Sequence, residues 1–211
     1  MRTIAILPVK SFPAAKQRLR EGLGSPQRED LAEAMFTDVL AALLGTSLAE
    51  IAVVTASPVV REIALGYGAQ VLEDRETGHN AAAGLGIEGA IDRGAERVLL
   101  VPGDCPALDP DEVDALLDLP VQAPSVLIVP DRHRTGTNAL LITPPEAMAP
   151  SFGPGSCRRH LELARASGAQ AEIVDVPSLA LDIDTPEDLA VLAHAPRAPA
   201  SRRLLGRLPA C

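Results

Sequence analysis

The sequence predicts an α/β fold in which a mainly parallel sheet is covered by helices on both faces. Short apolar runs, typical of buried strands, alternate with segments whose apolar residues recur at helical spacing. Pro8 closes the first apolar run, and the pairs Ser25-Pro26 and Thr185-Pro186 are typical of helix starts. Because parallel strands need a crossover connection, which is usually a helix, this alternation favours a parallel sheet.

Seven strands are predicted, over residues 3–9, 50–55, 69–73, 97–102, 125–130, 138–143 and 171–176. Helices are predicted to begin near Pro26 and at Pro58, and to cover 80–93, 110–117, 156–167 and 186–194. The first helix has one apolar face, formed by Leu31, Ala34, Met35, Val39, Leu40 and Leu43. Sheets of this kind bind ligands beyond the carboxyl ends of their strands, so polar residues there are the first candidates for a site.

The length of 211 residues and the mass of 22.0 kDa favour a single domain. We expect this domain to span residues 1–194. The stretch 195–211 contains three prolines and four arginines but no acidic residue, which predicts a flexible tail.

Composition and charge exclude several classes of function. Aromatic residues make up 2% of the chain, so a surface that stacks on nucleic-acid bases is not expected. The net charge is −9, which argues against the basic face that DNA or RNA binding requires. No apolar run approaches the ~18 residues that a membrane span requires. Cys105, Cys157 and Cys211 are too widely spaced for a zinc or disulfide motif, and this favours a reducing, cytoplasmic location.

Three cations follow the first predicted strand in a chain that is otherwise acidic. Lys10, Lys16 and Arg18 lie in the segment 8–19, beyond the carboxyl end of that strand. Lysine supplies a point charge and arginine a two-pronged donor, so this loop suits a polyphosphate. A solvated basic loop without a ligand explains the spacing alone equally well.

Carboxylates at two places suggest a Mg²⁺ site. Asp104 follows a predicted strand in a turn bounded by Gly103 and Pro106, and a carboxylate there suits Mg²⁺ held between phosphate oxygens. Asp182 and Asp184 are two residues apart on a stretch predicted to be extended. In a strand, residues two apart lie on the same face, so both carboxylates are expected on one face. The alternatives are an Asx turn at Asp104 and, for part of the second motif, a helix cap at the following threonine.

A glycine-rich turn, Phe152-Gly-Pro-Gly-Ser156, precedes the fifth predicted helix. Free backbone N–H groups at the start of a helix bind anions. Arg158 and Arg159 lie in the first helical turn, where they oppose the helix dipole, and a bound phosphorylated acid would explain their presence. The alternative is that Ser156 is only a helix N-cap.

Three further signals have weaker interpretations. The segment 84–89 matches the dinucleotide fingerprint in its letters but lies inside a predicted helix, so close packing or close approach of a ligand explains it better. Asn80 caps that helix, contacts a base or ribose, or does both. His133 and His160 are interpreted as surface or supporting residues, because neither has a partner histidine at metal-ligand spacing.

Taken together, these motifs resemble the CofC/FbiD family, the guanylyltransferases of coenzyme F-420 biosynthesis. The resemblance covers about residues 3–192 and rests on the following ordered set: P-V-K…A-K-Q-R-L at 8–19, H-N-A-A at 79–82, G-D-C-P at 103–106, G-T-N-A-L at 136–140, F-G-P-G-S-x-x-x-H at 152–160 and D-I-D-T-P-E-D-L at 182–189. The G-x-G loop that often opens the broader superfamily is missing, which favours the narrower family. Cys105 departs from the larger aliphatic residue that is commoner in the family.

The resemblance implies a nucleotide-diphospho-sugar-transferase-like (GT-A/Rossmann-like) fold and a set of site residues. Its implied catalytic residues are Lys10, Lys16, Arg18 and Asp104. Its implied nucleotide contacts are Lys16, Arg18, Asn80 and Asp104. Its implied Mg²⁺ ligands are Asp104, Asp182 and Asp184. Its implied phosphoenolpyruvate pocket contains Thr137, Gly153 and Ser156.

The implied reaction is attack by the phosphate of phosphoenolpyruvate on the α-phosphorus of GTP, with pyrophosphate leaving. The acceptors 2-phospho-L-lactate and 3-phosphoglycerate stay open as alternatives, and so does the division of metal binding between Asp182 and Asp184. A molybdenum-cofactor nucleotidyltransferase, a sugar-nucleotide pyrophosphorylase and a non-catalytic nucleotide-binding relative are the competing functions. The sequence leaves open whether the protein is a homodimer.

Overall fold

The computed structural model describes residues 1–14, 16–20 and 22–207. Within them one sheet is formed by β1 (Thr3–Pro8), β2 (Glu50–Thr55), β3 (Gln70–Glu73), β4 (Arg97–Leu100), β5 (Ser125–Pro130), β6 (Thr137–Thr143) and β7 (Gln170–Ile173). The helices are α1 (Ser25–Leu43), α2 (Pro58–Gly66), α3 (His79–Asp92), α4 (Pro110–Leu117), α5 (Ser156–Ala166), α6 (Pro186–Ala193) and α7 (Pro199–Leu205). The predicted α/β class with a mainly parallel sheet is confirmed.

One strand of the sheet runs against the others. The strand order is β3-β2-β1-β4-β6-β5-β7, and β6 is antiparallel to both of its neighbours, β4 and β5. Residues 131–136 alone connect β5 to β6, so the two strands form a hairpin. Its register shifts near this connection, because Val129 pairs with Ala139 whereas Pro130 pairs with Thr137. Asn138 is therefore the extra residue of a β-bulge.

Helices cover both faces of the sheet, as the alternation of elements predicts. The apolar residues of α1, α2 and α4 pack on one face, and those of α3 and α5 pack on the other. Gly86 and Gly89 of α3 explain the fingerprint-like segment: a Cβ on Gly86 would lie 2.3 Å from Ile6 Cγ2, and one on Gly89 would lie 2.7 Å from Leu72 Cδ1. These glycines let α3 approach the sheet closely, so the packing interpretation is confirmed for Gly86.

The segment after α6 differs from the expected flexible tail. Residues 199–205 form α7, and α7 docks on α1 through a buried carboxylate. Asp38 of α1 accepts hydrogen bonds from the N–H groups of Ala200 (2.9 Å) and Ser201 (2.8 Å) and from Ser201 Oγ (2.7 Å). A carboxylate at a helix N-terminus satisfies free N–H groups and interacts favourably with the helix dipole. The end of the expected tail, 208–211 with Cys211, lies outside the described residues.

No helix in the described part of the chain combines the length and the apolar content that crossing a membrane requires.

Candidate active site

A pocket opens at the carboxyl ends of β1 and β4, which lie side by side in the sheet. Its volume is about 240 Å³, and residues from the loop after β1, from α1, from the start of α3 and from the turn after β4 line it. Met35 and Phe36 give the pocket an apolar wall, whereas Lys10, Lys16 and Asp104 supply charge. This is the edge of the sheet at which ligands of α/β proteins bind.

Beside the pocket lies a group that we call the charged cluster: Lys16, Arg18, Asp104, Asp182 and Asp184. Lys16 Nζ lies 2.5 Å from Asp104 Oδ2 and 3.1 Å from Asp184 Oδ1. Arg18 Nη1 lies 3.2 Å from Asp184 Oδ2. The Lys16 side chain is 5% exposed and that of Arg18 is 75% exposed, so Lys16 is enclosed and Arg18 lies at the rim. Burial alone would lower the pKa of Lys16, but Asp104 and Asp184 raise it above its ordinary value.

The backbone of Lys16 is strained. Its φ of 54° and ψ of 39° lie in the left-handed region, which costs a residue with a side chain roughly 1–2 kcal/mol. The two carboxylates that bind the ammonium group hold the residue in this conformation. Backbone strain of this kind is concentrated at functional sites, so it supports the prediction that Lys16 is a site residue. Lys10 lines the same pocket but is exposed, and no carboxylate of the described residues pairs with it.

Asp182 and Asp184 lie in an irregular segment, so the expectation that they share the face of a strand is wrong. The backbone N–H of Ile183 donates a hydrogen bond to the carbonyl of Asp104 (3.2 Å), and the Ile183 side chain is buried. This contact holds the segment against the turn after β4. Asp188 fixes its far end by accepting hydrogen bonds from the N–H groups of Asp184 (2.9 Å) and Thr185 (2.7 Å).

Asp182 has a different environment from Asp184. Asn138 Nδ2, at the β-bulge, donates to Asp182 Oδ1 (3.2 Å) and to the carbonyl of Leu179 (2.8 Å). Burial raises the pKa of Asp182, and the negative charges of Asp104 and Asp184 raise it further. Sequence reasoning missed this role of Asn138, because a bulge leaves no pattern in the apolar residues.

The three carboxylates have the donor chemistry that Mg²⁺ prefers, which is oxygen ligands with negative charge. Burial is the main cause of the raised pKa of Asp182, and the charges of Asp104 and Asp184 add to it; a divalent cation would relieve this repulsion between the carboxylates. In residues 1–14, 16–20 and 22–207, however, no group of three or more acidic, histidine or cysteine side chains is arranged around one ion position. The Lys16 ammonium group lies between Asp104 and Asp184 instead. The residues fit the ion chemically, and Lys16 would share these carboxylates with it.

A second group, which we call the buried cluster, consists of Thr137, Ser151, Ser156 and His160. His160 is fully buried, with Nδ1 2.9 Å from Thr137 Oγ1 and Nε2 2.8 Å from the backbone nitrogen of Ser151. The β-bulge at Asn138 turns Thr137 toward α5, since one extra residue reverses the face on which the preceding side chain lies. Burial, and then the positive charge of Arg159, lower the pKa of His160 to about 4.

Ser156 is the first residue of α5 and not its N-cap, which is Gly155. Among the described residues no partner bonds to Ser156 Oγ, although the residue is only 1% exposed. The turn before it depends on glycine, because Gly153 has φ 122° and Gly155 has φ 70°. The alternative that Ser156 only caps the helix is wrong, because Gly155 is the N-cap.

Two residues chosen from the sequence hold this turn. Asn80 bonds to both backbone groups of Phe152: its Nδ2 donates to the carbonyl (3.2 Å) and its Oδ1 accepts from the N–H (2.7 Å). Arg159 donates from Nη2 to the carbonyl of Ser151 (2.7 Å) and from Nη1 to that of Pro154 (2.9 Å). Arg158 is exposed and pairs with Glu162. Arg159 is bound to carbonyl groups of the turn and Arg158 to a carboxylate, so their contacts do not support the interpretation that both bind a phosphorylated acid.

Aromatic rings connect the pocket to the buried cluster. His79 lines the pocket, and its ring meets the edge of Phe152 at a centroid distance of 5.0 Å. Phe152 in turn meets His160 at 5.1 Å. His79, which Lys10 and Asp104 influence electrostatically, has a pKa lowered chiefly by burial. The rings of His79, Phe152 and His160 therefore form a row of contacts that leads from the pocket to the buried cluster.

The remaining candidates are structural. Cys105 is buried beside Asp104, and burial, followed by Asp104 and Asp182, raises the pKa of its thiol. A thiol with a raised pKa is a poor nucleophile, so Cys105 acts as a small apolar residue. His133 is exposed, as expected, and accepts a hydrogen bond from Arg132.

Comparison with known proteins shows the family to which this chain is similar. The profile of the family described as "Guanylyl transferase CofC like" matches residues 3–207. A phosphoenolpyruvate guanylyltransferase of Conexibacter woesei is 50% identical over 91% of this chain and 87% of its own length. A 3-phospho-D-glycerate guanylyltransferase of Colwellia psychrerythraea is 37% identical over 92% of each chain. A 2-phospho-L-lactate guanylyltransferase of Methanothermobacter thermautotrophicus is 36% identical over 92% of this chain and 86% of its own length.

Solved structures show the same fold. A protein of Desulfovibrio desulfuricans G20, provisionally described as a nucleotide-diphospho-sugar transferase, superposes with a TM-score of 0.77 at 18% identity, covering 98% of this chain and 95% of that one. The implied nucleotide-diphospho-sugar-transferase-like fold is therefore confirmed. On the match over residues 3–207 and the identity with these relatives, the chain belongs to the CofC-like guanylyl transferase family.

Proposed function

We propose that this protein transfers GMP from GTP to phosphoenolpyruvate, giving enolpyruvoyl-2-diphospho-5'-guanosine and pyrophosphate in coenzyme F-420 biosynthesis. The observation that carries the proposal is the pairing of two unlike groups in one site. An enclosed lysine lies between two carboxylates beside a pocket, and a free serine hydroxyl lies at the start of α5 beyond it. The first arrangement suits a polyphosphate, and the second suits a small anion.

The chemistry needs no nucleophile from the protein. A phosphomonoester dianion attacks the α-phosphorus directly, and one P–O bond forms while the bond to pyrophosphate breaks. Catalysis of phosphoryl-type transfer comes mainly from positioning and from neutralising charge. In this proposal the Lys16 ammonium group and Arg18 at the rim bind phosphate oxygens of GTP. Lys10, exposed at the pocket, adds a third positive charge.

Asp104, with Asp182 and Asp184, would hold Mg²⁺, which when bound neutralises phosphate charge. When GTP and the ion are present, Lys16 exchanges part of its bonding from carboxylate to phosphate. Asp104 and Asp184 raise the pKa of Lys16 above its ordinary value, so the ammonium group is protonated before GTP binds. The base and ribose would lie against the apolar side of the pocket, where Val9 and Phe12 line it and Met35 and Phe36 lie behind them.

The acceptor acid would bind at Thr137, Gly153 and Ser156. The Ser156 hydroxyl has no bond to another described residue, and Thr137 has its hydroxyl oriented by His160. Asn80, expected to contact the nucleotide, has its amide bound at both ends to Phe152. We therefore propose that Asn80 serves the site by holding the acceptor turn beside the pocket. A cytoplasmic location accompanies this proposal, since GTP and phosphorylated acids are intracellular substrates.

The proposal is tested by incubating the protein with GTP and Mg²⁺ and, separately, with phosphoenolpyruvate, 2-phospho-L-lactate and 3-phosphoglycerate. Pyrophosphate release and the GMP adduct of each acid are measured, with a reaction lacking acid as the control. We expect the highest kcat/KM with phosphoenolpyruvate, the acceptor named for the 50% identical relative. A higher kcat/KM with another acid would identify that acid as the preferred acceptor. If no acid led to pyrophosphate release, the proposed function would be contradicted.

A further inference from the structure

His160 makes two hydrogen bonds that together fix which of its ring nitrogens carries the proton. A backbone N–H only donates, so the bond from Ser151 N to Nε2 (2.8 Å) requires a lone pair on Nε2. A neutral ring then carries its proton on Nδ1, which lies 2.9 Å from Thr137 Oγ1. Nδ1 must therefore donate to the Thr137 hydroxyl.

The ring is held in this neutral form. It is fully buried, and its pKa of about 4 keeps it unprotonated at neutral pH. The charged group that acts on it is Arg159 of the same helix, whose positive charge also opposes protonation. Phe152 packs edge-on against the ring, with a centroid distance of 5.1 Å.

The consequence concerns Thr137. A hydroxyl that accepts one hydrogen bond still has its own O–H to donate, and His160 occupies the accepting side of Thr137 Oγ1. Within the described residues Thr137 Oγ1 has no other polar partner. Its hydrogen therefore points away from His160 and is available to an acceptor such as a phosphate or carboxylate oxygen.

We propose that His160 is a positioning residue of the acceptor site, which presents the Thr137 hydroxyl as a hydrogen-bond donor to the phosphorylated acid. This role rests on the proposed function, because it assumes that the acid binds at Thr137. It also explains why a buried histidine lies at the fifth position of α5, five residues after the N-cap glycine. Its bond to Ser151 holds the acceptor turn at the same time.

Two amide substitutions separate the bonds of His160. The shorter side chain in His160→Asn places its amide near Nδ1 and retains a donor to Thr137. The longer side chain in His160→Gln places its amide near Nε2 and retains the contact with Ser151 but loses the donor. We expect His160→Gln to raise the KM for the acid by roughly tenfold or more, the scale of one hydrogen bond to a charged group, and to leave the KM for GTP unchanged. His160→Asn should stay within about threefold of the unsubstituted protein, well below that tenfold scale.

A double-mutant cycle tests whether His160 acts through Thr137. Thr137→Val removes the hydroxyl and should raise the KM for the acid as His160→Gln does. Adding His160→Gln to Thr137→Val should then have little further effect, because the shared interaction is already lost. Independent, additive effects would overturn the positioning role.

A spectroscopic measurement provides a readout that does not depend on turnover. ¹⁵N–¹H NMR of the histidine-labelled protein should show His160 neutral with its proton on Nδ1 at neutral pH. A proton on Nε2, or equal effects of His160→Gln and His160→Asn on both KM values, would overturn the proposal. If the unsubstituted protein turns over no acid, the proposed function fails and the positioning role fails with it. If it turns over an acid whose KM His160→Gln leaves unchanged, only the positioning role fails.

Discussion

Lys16 in the charged cluster and His160 in the buried cluster are both enclosed residues, but different forces hold them. Lys16 is bound by the opposite charges of Asp104 and Asp184, on a strained backbone in a loop. His160 is bound by neutral hydrogen bonds, on a regular helix with an ordinary backbone. In the proposed function the charged cluster exchanges its internal ion pairs for a charged ligand. The buried cluster keeps its bonds and offers only the hydroxyl groups left over.

The largest expected effect is that of Asp104→Asn, because it alters the central carboxylate of the charged cluster. We expect kcat to fall by roughly 10²-fold or more, the scale of one lost electrostatic contact in a transition state. Lys16 keeps Asp184 as a partner, so the melting temperature should change little. Steady-state pyrophosphate release measures the effect, and Asp92→Asn on the exposed surface of α3 is the matched control. Normal turnover of Asp104→Asn would contradict the role given to this carboxylate.

Lys16→Ala should have the second largest effect, and this effect should concern the binding of GTP alone. We expect the KM for GTP to rise by roughly tenfold or more, while the KM for the acid stays nearly constant. Arg18→Ala is the comparison, because Arg18 is 75% exposed and should contribute several-fold less. The KM values are obtained by varying each substrate in turn. Equal effects on both substrates would mean that the two clusters do not divide the substrates as proposed.

Ser156→Ala should affect the KM for the acid and leave the KM for GTP nearly constant. The lost hydroxyl bonds to no described residue, so we expect no loss of stability from this change. The KM for the acid should rise by roughly tenfold, since a hydrogen bond to a charged group contributes about 1.5–3 kcal/mol. Kinetics with each acid, together with a melting curve, check both statements. An earlier melting transition with unchanged KM values would show that Ser156 has only a structural role.

Asp38→Ala provides a change remote from both clusters. It removes the carboxylate that binds the N–H groups of Ala200 and Ser201 at the start of α7. We expect the free energy of unfolding to fall by about 1–2 kcal/mol, as for the loss of a helix cap. Urea unfolding measures this change, and both KM values should be retained. Unchanged stability would mean that α7 is not docked in solution and that the expected flexible tail describes it better.

The remaining prediction is the pH dependence of stability that His160 contributes. Its pKa is about 4 in the folded protein, below the ordinary value of 6.5, so between these values the unfolded chain binds the proton more readily. Stability is therefore present above pH 6.5 and is lost as the pH falls toward 4, by about 1 kcal/mol per pH unit. Unfolding measured from pH 7 to 4 should show a shallower loss in His160→Asn. The same loss in both proteins would contradict the lowered pKa.

The sequence predicted those features that depend on local pattern. Each predicted strand was found with shifts of three residues or fewer, because short apolar runs between turn residues mark buried strands well (predicted 171–176, observed Gln170–Ile173). The direction of β6 could not be predicted, since an apolar run has the same pattern whichever way its strand runs. The same holds for the bulge at Asn138, which involves pairing between strands.

Features that depend on long-range contacts were missed or only partly predicted. The helix α7 was expected to be flexible because of its prolines and arginines, and the partner that docks it, Asp38, lies 162 residues before Ala200. Lys16, Asp104 and Asp184 were chosen from the sequence, and the structure brings them together. His160 was interpreted from the sequence as a surface or supporting residue. The structure shows that it is buried and contacts Thr137 and Ser151, and the sequence does not indicate which residues lie beside it.

The hairpin of β5 and β6 has a consequence for the order in which the molecule folds. Thr137 and His160 are 23 residues apart, and Ser151 and His160 are nine apart, so the buried cluster closes short loops. Lys16 and Asp184 are 168 residues apart, so their contact closes a much longer loop. Since closing a longer loop costs more entropy, we expect the buried cluster to form early and the charged cluster last. Pulsed hydrogen exchange during refolding should then protect the amides of β5 and β6 before those near Asp104 and Ile183.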